Sequence, residues 1–166
     1  VWHYKDPSID YEKRPYQIGY NEIPAPSSGN TMLEGHFHTH KHFDDCRDEI
    51  LNLFGAGWAP DADFVSIHIR RGDYLKMQEY LPVVDMEYLS AAIKYFSDKG
   101  CKYFLVFGDD PAWNKENVNN NNFPGLEFHY WENCDPMTDL KRASCCKYNI
   151  GSNSSFSWWI HYLNRH

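Results

Sequence analysis

The hydrophobic positions along this chain change period several times, and each change marks an element. Phe64-Val65-Ser66-Ile67-His68-Ile69 is a short run rich in β-branched and aromatic residues, which predicts a strand. Lys102-Tyr103-Phe104-Leu105-Val106-Phe107 predicts a second, Leu126 to Tyr130 a third, and Tyr148 to Ile150 a short fourth. Between them the period lengthens to that of a helix. Leu89, Ile93 and Phe96 share one face of a segment from Met86 to Lys99, with Asp85 placed to cap its start and Gly100 to end it. Pro111 to Val118, Met137 to Ala143 and Ser154 to Leu163 predict further helices. Upstream, Phe43, Cys46, Ile50 and Phe54 recur at near-helical spacing, so a helix is expected from His42 to Phe54 with Gly55 as its stop. Residues 1–33 are rich in Tyr, Pro, Gly and Asn, with a loop over Pro24 to Asn30, and Asn119 to Asn122 reads as an exposed turn.

Strands alternating with helices imply an α/β fold, with a mostly parallel sheet and helices on its faces. Ligands of such sheets bind beyond the carboxyl ends of the strands. Three polar segments fall there: Arg70-Arg71-Gly72-Asp73 after the first strand, Gly108-Asp109-Asp110 after the second, and Gly151-Ser152-Asn153-Ser154-Ser155 after the last. Their convergence on one edge is a site expectation.

Composition narrows the partners. The chain has 166 residues and is 42% hydrophobic, enough for a packed core. Its aromatic content of 17% suits stacking on sugar faces, although packing accounts for most such residues. A net charge of −7 makes nucleic acid and anionic membranes poor partners, so a tight basic cluster within the chain is the more informative. The five cysteines show no zinc spacing and read as reduced thiols of a cytosolic setting. No apolar run reaches the length of a membrane span, and no signal peptide is visible.

The Arg pair is the chemical focus. An arginine fork donates two hydrogen bonds to a phosphate and stays charged, and Gly72 would let the backbone approach a ligand. A surface Arg pair with a turn glycine is the plainer alternative. Arg71-Gly72-Asp73 also has the form of an adhesion tripeptide, but it follows a buried-type strand where a mobile loop tip would be needed. The Gly151–Ser155 turn can cap a helix, bind an anion at the helix start, or both. Asp61-Ala62-Asp63 has the DxD form of a metal site, yet it precedes its strand and so lies at the wrong sheet edge. Asp109 and Asp110 point apart in an extended loop, which favours hydrogen bonding to base, ribose or sugar over metal binding. His36, His38, His40 and His42 alternate and would line one face if extended, as metal ligands or as a polar cleft lining, but the helix expected near His40 interrupts the alternation.

Taken together these segments resemble a known family. Val65 to Tyr74, with His68-Ile69-Arg70-Arg71-Gly72-Asp73-Tyr74 at its heart, resembles the HxRRGDY motif of α-1,2-fucosyltransferases, glycosyltransferase family 11. Tyr103 to Trp113 is similar to that family's second motif, a strand ending in Asp-Asp before a Trp, and Asp139-Leu140 through Trp159 to its third, CKHNIIANSSFSWW. Leu33 to Phe43 resembles the segment L-x-GYFQSEKYF, with His in place of its Tyr, Gln, Glu and second Tyr. The resemblance implies a two-domain GT-B architecture. Residues 1 to about 60 would end the acceptor-side domain, and 61–166 would form most of the GDP-sugar-binding domain, without the extreme N-terminal part and the C-terminal tail. It implies GDP-fucose as donor, a galactose-containing glycan as acceptor at its 2-hydroxyl, inversion at the anomeric carbon, and no metal or other cofactor. By the same match Arg70 would hold the β-phosphate, and His68 and Asp139 would contact the nucleotide. Arg71, Gly72, Asp109, Asn153, Ser154 and Ser155 would complete the donor side, Asp73 is a candidate for the catalytic base, and His36 and His38 fall on the acceptor side. A bacterial-type cytoplasmic protein is expected, with peripheral membrane association or a Golgi lumenal setting as alternatives for the full-length protein. Two other functions stay open: a non-catalytic nucleotide- or glycan-binding remnant, and a transferase for another GDP-sugar.

Overall fold

The structure is a computed structural model that describes residues 2–5, 20, 22–25, 29–35, 37, 39–54, 61–132 and 134–166. The chain divides into two compact units, Val1–Leu53 and Phe54–His166.

The first unit contains a parallel pair of short strands, β1 (Trp2–Lys5) and β2 (Thr31–Glu34), in register from Trp2 opposite Thr31 to Lys5 opposite Glu34. Neither is expected from the sequence, because four residues are too few to establish an alternation against Pro- and Gly-rich flanks. The helix expected from His42 also differs. Two single 3-10 turns, His40–His42 and Asp44–Cys46, precede a short helix α1 (Arg47–Leu53). Cys46 is exposed, and Leu51 is the buried residue of α1. Thr39 caps the first 3-10 turn by accepting from the Lys41 amide, and no side chain caps the second. The tighter turns shift the apolar positions off the expected face.

The second unit alternates strand and helix throughout: β3 (Asp61–Ile69), α2 (Met86–Asp98), β4 (Tyr103–Gly108), α3 (Pro111–Asn117), β5 (Glu127–Tyr130), α4 (Pro136–Ser144), β6 (Cys146–Ile150) and α5 (Ser155–Leu163). The expected strand over Phe64 to Ile69 is extended by three residues at its start. All four strands are parallel, in the order β5-β4-β3-β6. The helix limits follow the caps: the Tyr88 amide donates to Asp85 Oδ1 at 2.8 Å, and Gly100 takes a φ of +88° just past α2.

Side chains of β3 divide between two faces. Val65, Ile67 and Ile69 pack with Phe104 and Val106 beneath Leu89 and Ile93 of α2 and Val118, all nearly inaccessible. By alternation Ser66 and His68 take the other face, where Leu140 and Ala143 of α4 and Ile160 and Leu163 of α5 are buried. That face carries polar groups that are bonded: Asn149 Nδ2 donates to Ser66 Oγ at 2.7 Å and to the Ala143 carbonyl at 2.9 Å. The register sets the strand ends level. Ile69 lies opposite Gly108, and Ile67 opposite Ile150, so Arg70, Asp109 and Gly151 leave the sheet at one edge.

Candidate functional site

The three polar segments expected at the carboxyl edge do meet. The Arg70 amide donates to Ser152 Oγ at 3.1 Å, which ties the end of β3 to the loop after β6. Arg71 and Gly72 amides both donate to Asp109 Oδ1, at 2.8 and 3.2 Å, which ties it to the loop after β4. Asp109 Oδ2 faces the Arg70 guanidinium at 2.8 Å. Both Asp109 oxygens are therefore engaged within the protein, where the sequence suggests a hydrogen-bonding role toward a ligand. Gly72 is explained by the same contact. A Cβ placed on it would come within 2.5 Å of Asp109 Oδ2, so the space above Gly72 is filled by that carboxylate, not by a ligand as its sequence context suggests.

The two arginines differ. Arg71 lies with its side chain 15% exposed, its Nε donating to Asp110 Oδ2 at 3.2 Å and its guanidinium 4.0 Å over the Trp113 ring. Asp110 also caps α3, accepting from the Trp113 amide. Arg71 thus holds the loops together. Arg70 stands further out, at 36% exposure, between Asp109 and Asp73, whose Oδ1 accepts from its Nη2 at 2.6 Å. Asp73 is more than half exposed, so the Arg70–Asp73 pair is the contact here that water or an anion can most readily replace.

Behind the arginines lies a hydroxyl cluster. Ser152 and Ser157 are buried. His68 Nδ1 lies 2.7 Å from Ser157 Oγ, and its ring packs 4.9 Å from that of Phe156. Burial lowers the His68 pKa to about 4, a change that Asp109 opposes and Arg70 and His161 assist, so the ring is neutral at physiological pH. Gly151 is required here too, since a Cβ would meet His161 Nε2 at 2.6 Å and the Ser157 Cβ at 3.0 Å.

The remaining expected residues are placed as follows. Ser154 is the N-cap of α5, accepting from the Ser157 amide at 3.1 Å, so its capping function is realised. Asn153 and Ser155 are exposed beside it. Asp139 sits in the first turn of α4; burial and the nearby Asp135 push its carboxyl up, opposed by its hydrogen bond with the Trp131 side chain. Trp131, on the loop between β5 and α4, has its Nε1 buried beside that carboxyl. His36 and His38 lie outside the described residues. His42 packs edge-on to Phe37 at 5.3 Å, in the first unit. Asp61-Ala62-Asp63 opens β3 at the edge opposite the arginines. Among the described residues, no group of three His, Cys, Asp or Glu side chains could hold a metal ion.

Sequence reasoning missed Ser157, the bonding of Ser152 to it, and the platform role of Trp113. The available signal was Ser157 itself, a hydroxyl three residues before Ile160 on the apolar stripe of α5.

Comparison with known proteins gives a consistent picture. The family model "Glycosyl transferase family 11" matches residues 25–166. An O-antigen biosynthesis glycosyltransferase of Escherichia coli, WbnK, is 34% identical over 127 residues, covering 72% of this chain and 40% of that protein. An alpha-1,2-colitosyltransferase of Escherichia coli is 34% identical over 106 residues, covering 61% and 37%. The human galactoside alpha-(1,2)-fucosyltransferase 1 is 28% identical over 138 residues, covering 80% and 38%. The chain thus spans about two fifths of the length of these relatives. Among solved structures, POFUT1 in complex with GDP superposes with a TM-score of 0.54 at 17% identity, covering 73% of this chain and 43% of that one. That likeness is one of fold, and it agrees with the parallel α/β layer expected from the strand and helix pattern and with the GT-B type that the family resemblance implies.

Proposed function

This chain belongs to glycosyl transferase family 11, and from that membership and the geometry around Arg70 we propose that the protein moves L-fucose from GDP-fucose to the 2-hydroxyl of a galactoside, with inversion and without a metal. The observation that carries the reading is Arg70 itself, an arginine fixed at the carboxyl edge of a parallel sheet by Asp109 on one side and paired on the other with an exposed, replaceable carboxylate.

Sugar departure builds negative charge on the β-phosphate of GDP. A preorganised guanidinium stabilises that charge without reorganising at the moment of reaction. The incoming phosphate takes the place of Asp73 on Arg70. Asp73, so released, is the candidate to accept the proton of the acceptor hydroxyl as it attacks the anomeric carbon from the opposite face. The first-turn amides of α5, near Ser154 and Ser155, supply further donors to the diphosphate, beside Asn153. Asp139, a partly buried carboxyl beside Trp131, is the candidate contact to the nucleotide base. His68 and the Arg71–Gly72 backbone shape the floor of this donor site, and His36 and His38 belong to the acceptor side. Residues 1 to about 60, which include the whole first unit, are assigned to the acceptor-side domain.

A second donor is favoured by a specific finding. One relative is named for transferring colitose, so another deoxy sugar carried on GDP would fit the same phosphate site. The test supplies GDP-fucose, with and without EDTA, to a panel of galactosides and follows α-1,2 product. Transfer that survives EDTA supports the full reading. Absence of transfer from GDP-fucose to every galactoside, with GDP still bound, points to another GDP-sugar or to a non-catalytic binding module.

A further inference from the structure

We propose that Ser157 is a positioning residue that holds His68 as a neutral imidazole with its proton on Nε2, so that His68 meets a ligand only as a hydrogen-bond donor and takes no part in proton transfer. Two serine hydroxyls face His68 Nδ1, Ser157 at 2.7 Å and Ser152 at 3.5 Å, Ser154 stands behind Ser157, and each of the three accepts a backbone amide. The Arg70 amide donates to Ser152 Oγ, the Ser152 amide to Ser157 Oγ at 3.1 Å, and the Ser157 amide to Ser154 Oγ at 3.1 Å. A hydroxyl that accepts an amide still has its own proton to give. Ser154 Oγ donates to Ser157 Oγ at 3.3 Å, so that hydroxyl and the Ser152 amide together fill both acceptor positions of Ser157, while Ser152 Oγ lies 3.2 Å away and either hydroxyl of that pair can be the donor. Ser157 in turn has His68 Nδ1 at 2.7 Å, the shortest contact in the cluster. A ring nitrogen without hydrogen is the acceptor that ends this chain of donors. A proton on Nδ1 would instead bring a third donor to an oxygen whose two lone pairs already accept the Ser152 amide and the Ser154 hydroxyl.

With Nδ1 occupied, Nε2 is the ring nitrogen left for a ligand, and in this tautomer it carries hydrogen. The burial that lowers the His68 pKa keeps the ring in this neutral form, with Asp109, Arg70 and His161 as the other ionisable groups that act on it. The same cluster ties His68 to Arg70, because Ser152 bonds both Ser157 and the Arg70 amide. The assignment of the ligand as a GDP-sugar rests on the function proposed above, whereas the tautomer does not.

Long-range 1H–15N correlation spectra of the ligand-free protein at pH 7 read the tautomer directly, with the His68 signal identified by its loss in His68→Gln. The expected signature is a protonated Nε2 and an unprotonated Nδ1, unchanged down to about pH 5. A protonated Nδ1, or an imidazolium at pH 7, overturns the proposal, and this wild-type spectrum decides the matter whether or not Ser157→Ala folds. In Ser157→Ala the tautomers should mix and GDP affinity should fall by about tenfold, the worth of one buried hydrogen bond. An unchanged tautomer in that variant also overturns it. Arg70→Ala should weaken GDP binding while leaving the His68 signature intact. A correct tautomer in a protein that binds no GDP leaves the positioning result standing and removes the functional reading.

Discussion

The same strands end in charged residues at both edges of the sheet, yet the two edges are built differently. At the amino edge Lys99, Lys102 and Lys147 line a shallow recess with Asp63, and all four are exposed. Lys99 donates to the Tyr95 hydroxyl one helical turn away, on the surface of α2. At the carboxyl edge Arg70 and Arg71 are bound to carboxylates from a neighbouring loop, and their backbone amides are held by Ser152 and Asp109. Exposed lysines lose most of their mutual effect to water and salt. An arginine fixed by neighbours keeps its orientation and can act on a ligand without being reorganised. The amino edge carries the larger excess of positive charge, yet only the carboxyl edge is organised to bind.

Four outcomes would sharpen or break this contrast. Arg70→Ala should lower transfer by the most, on the order of 3–4 kcal/mol in the barrier, with the circular dichroism of the fold unchanged. Near-normal turnover in that variant would mean that the carboxyl edge is no more specialised than the other.

Acid should act through His68. Its folded pKa of about 4 lies below the ordinary 6.5, so the unfolded chain binds the proton first. Stability is full above about pH 6.5 and falls as pH drops toward 4, by on the order of 3 kcal/mol from this group. His161, also lowered by burial, acts in the same direction. Urea unfolding across this range checks the sign: the stability advantage of the wild type over His68→Asn should shrink as pH falls. A constant difference would remove the buried neutral histidine from the account.

Asp109→Asn should come next. It removes the charge that faces Arg70 and weakens an acceptor shared by two amides, at a cost of about 1–2 kcal/mol in folding and about a tenfold loss of GDP affinity. Thermal melts and calorimetry read the two effects separately, and a stable variant with unaltered affinity would show that Arg70 needs no such support. Lys147→Ala at the amino edge should leave transfer within about twofold of wild type. A larger loss there would erase the distinction between the edges.

How much of this was legible in the sequence depends on length scale. The strands from β3 onward, and the helices that follow them, announce themselves through apolar runs, with Asp85 at a cap and Gly100 at a stop, whereas the capping by Asp110 and Asp135 came only with the structure. The edge on which Arg70, Asp109 and Ser152 would meet follows from the parallel arrangement alone. What could not be read was partner choice. Asp109 turns inward to two amides and an arginine, and Gly72 yields its space to that carboxylate, both consequences of a tertiary contact 37 residues apart. Ser157 looks like an ordinary helix residue until His68 is seen against it. The short β1 and β2 pair only with each other, across residues that carry no period.

The central claim is that Arg70 holds the β-phosphate. Calorimetric titration of GDP and of GMP into the wild type and Arg70→Ala tests it most directly, because the two nucleotides differ in that phosphate alone. A charge-assisted hydrogen bond is worth about 1.5–3 kcal/mol, so the wild type should prefer GDP over GMP by roughly 10- to 100-fold. The account predicts that Arg70→Ala abolishes most of this preference while GMP binds nearly as before. An unchanged ratio of GDP to GMP affinity in the variant would contradict it.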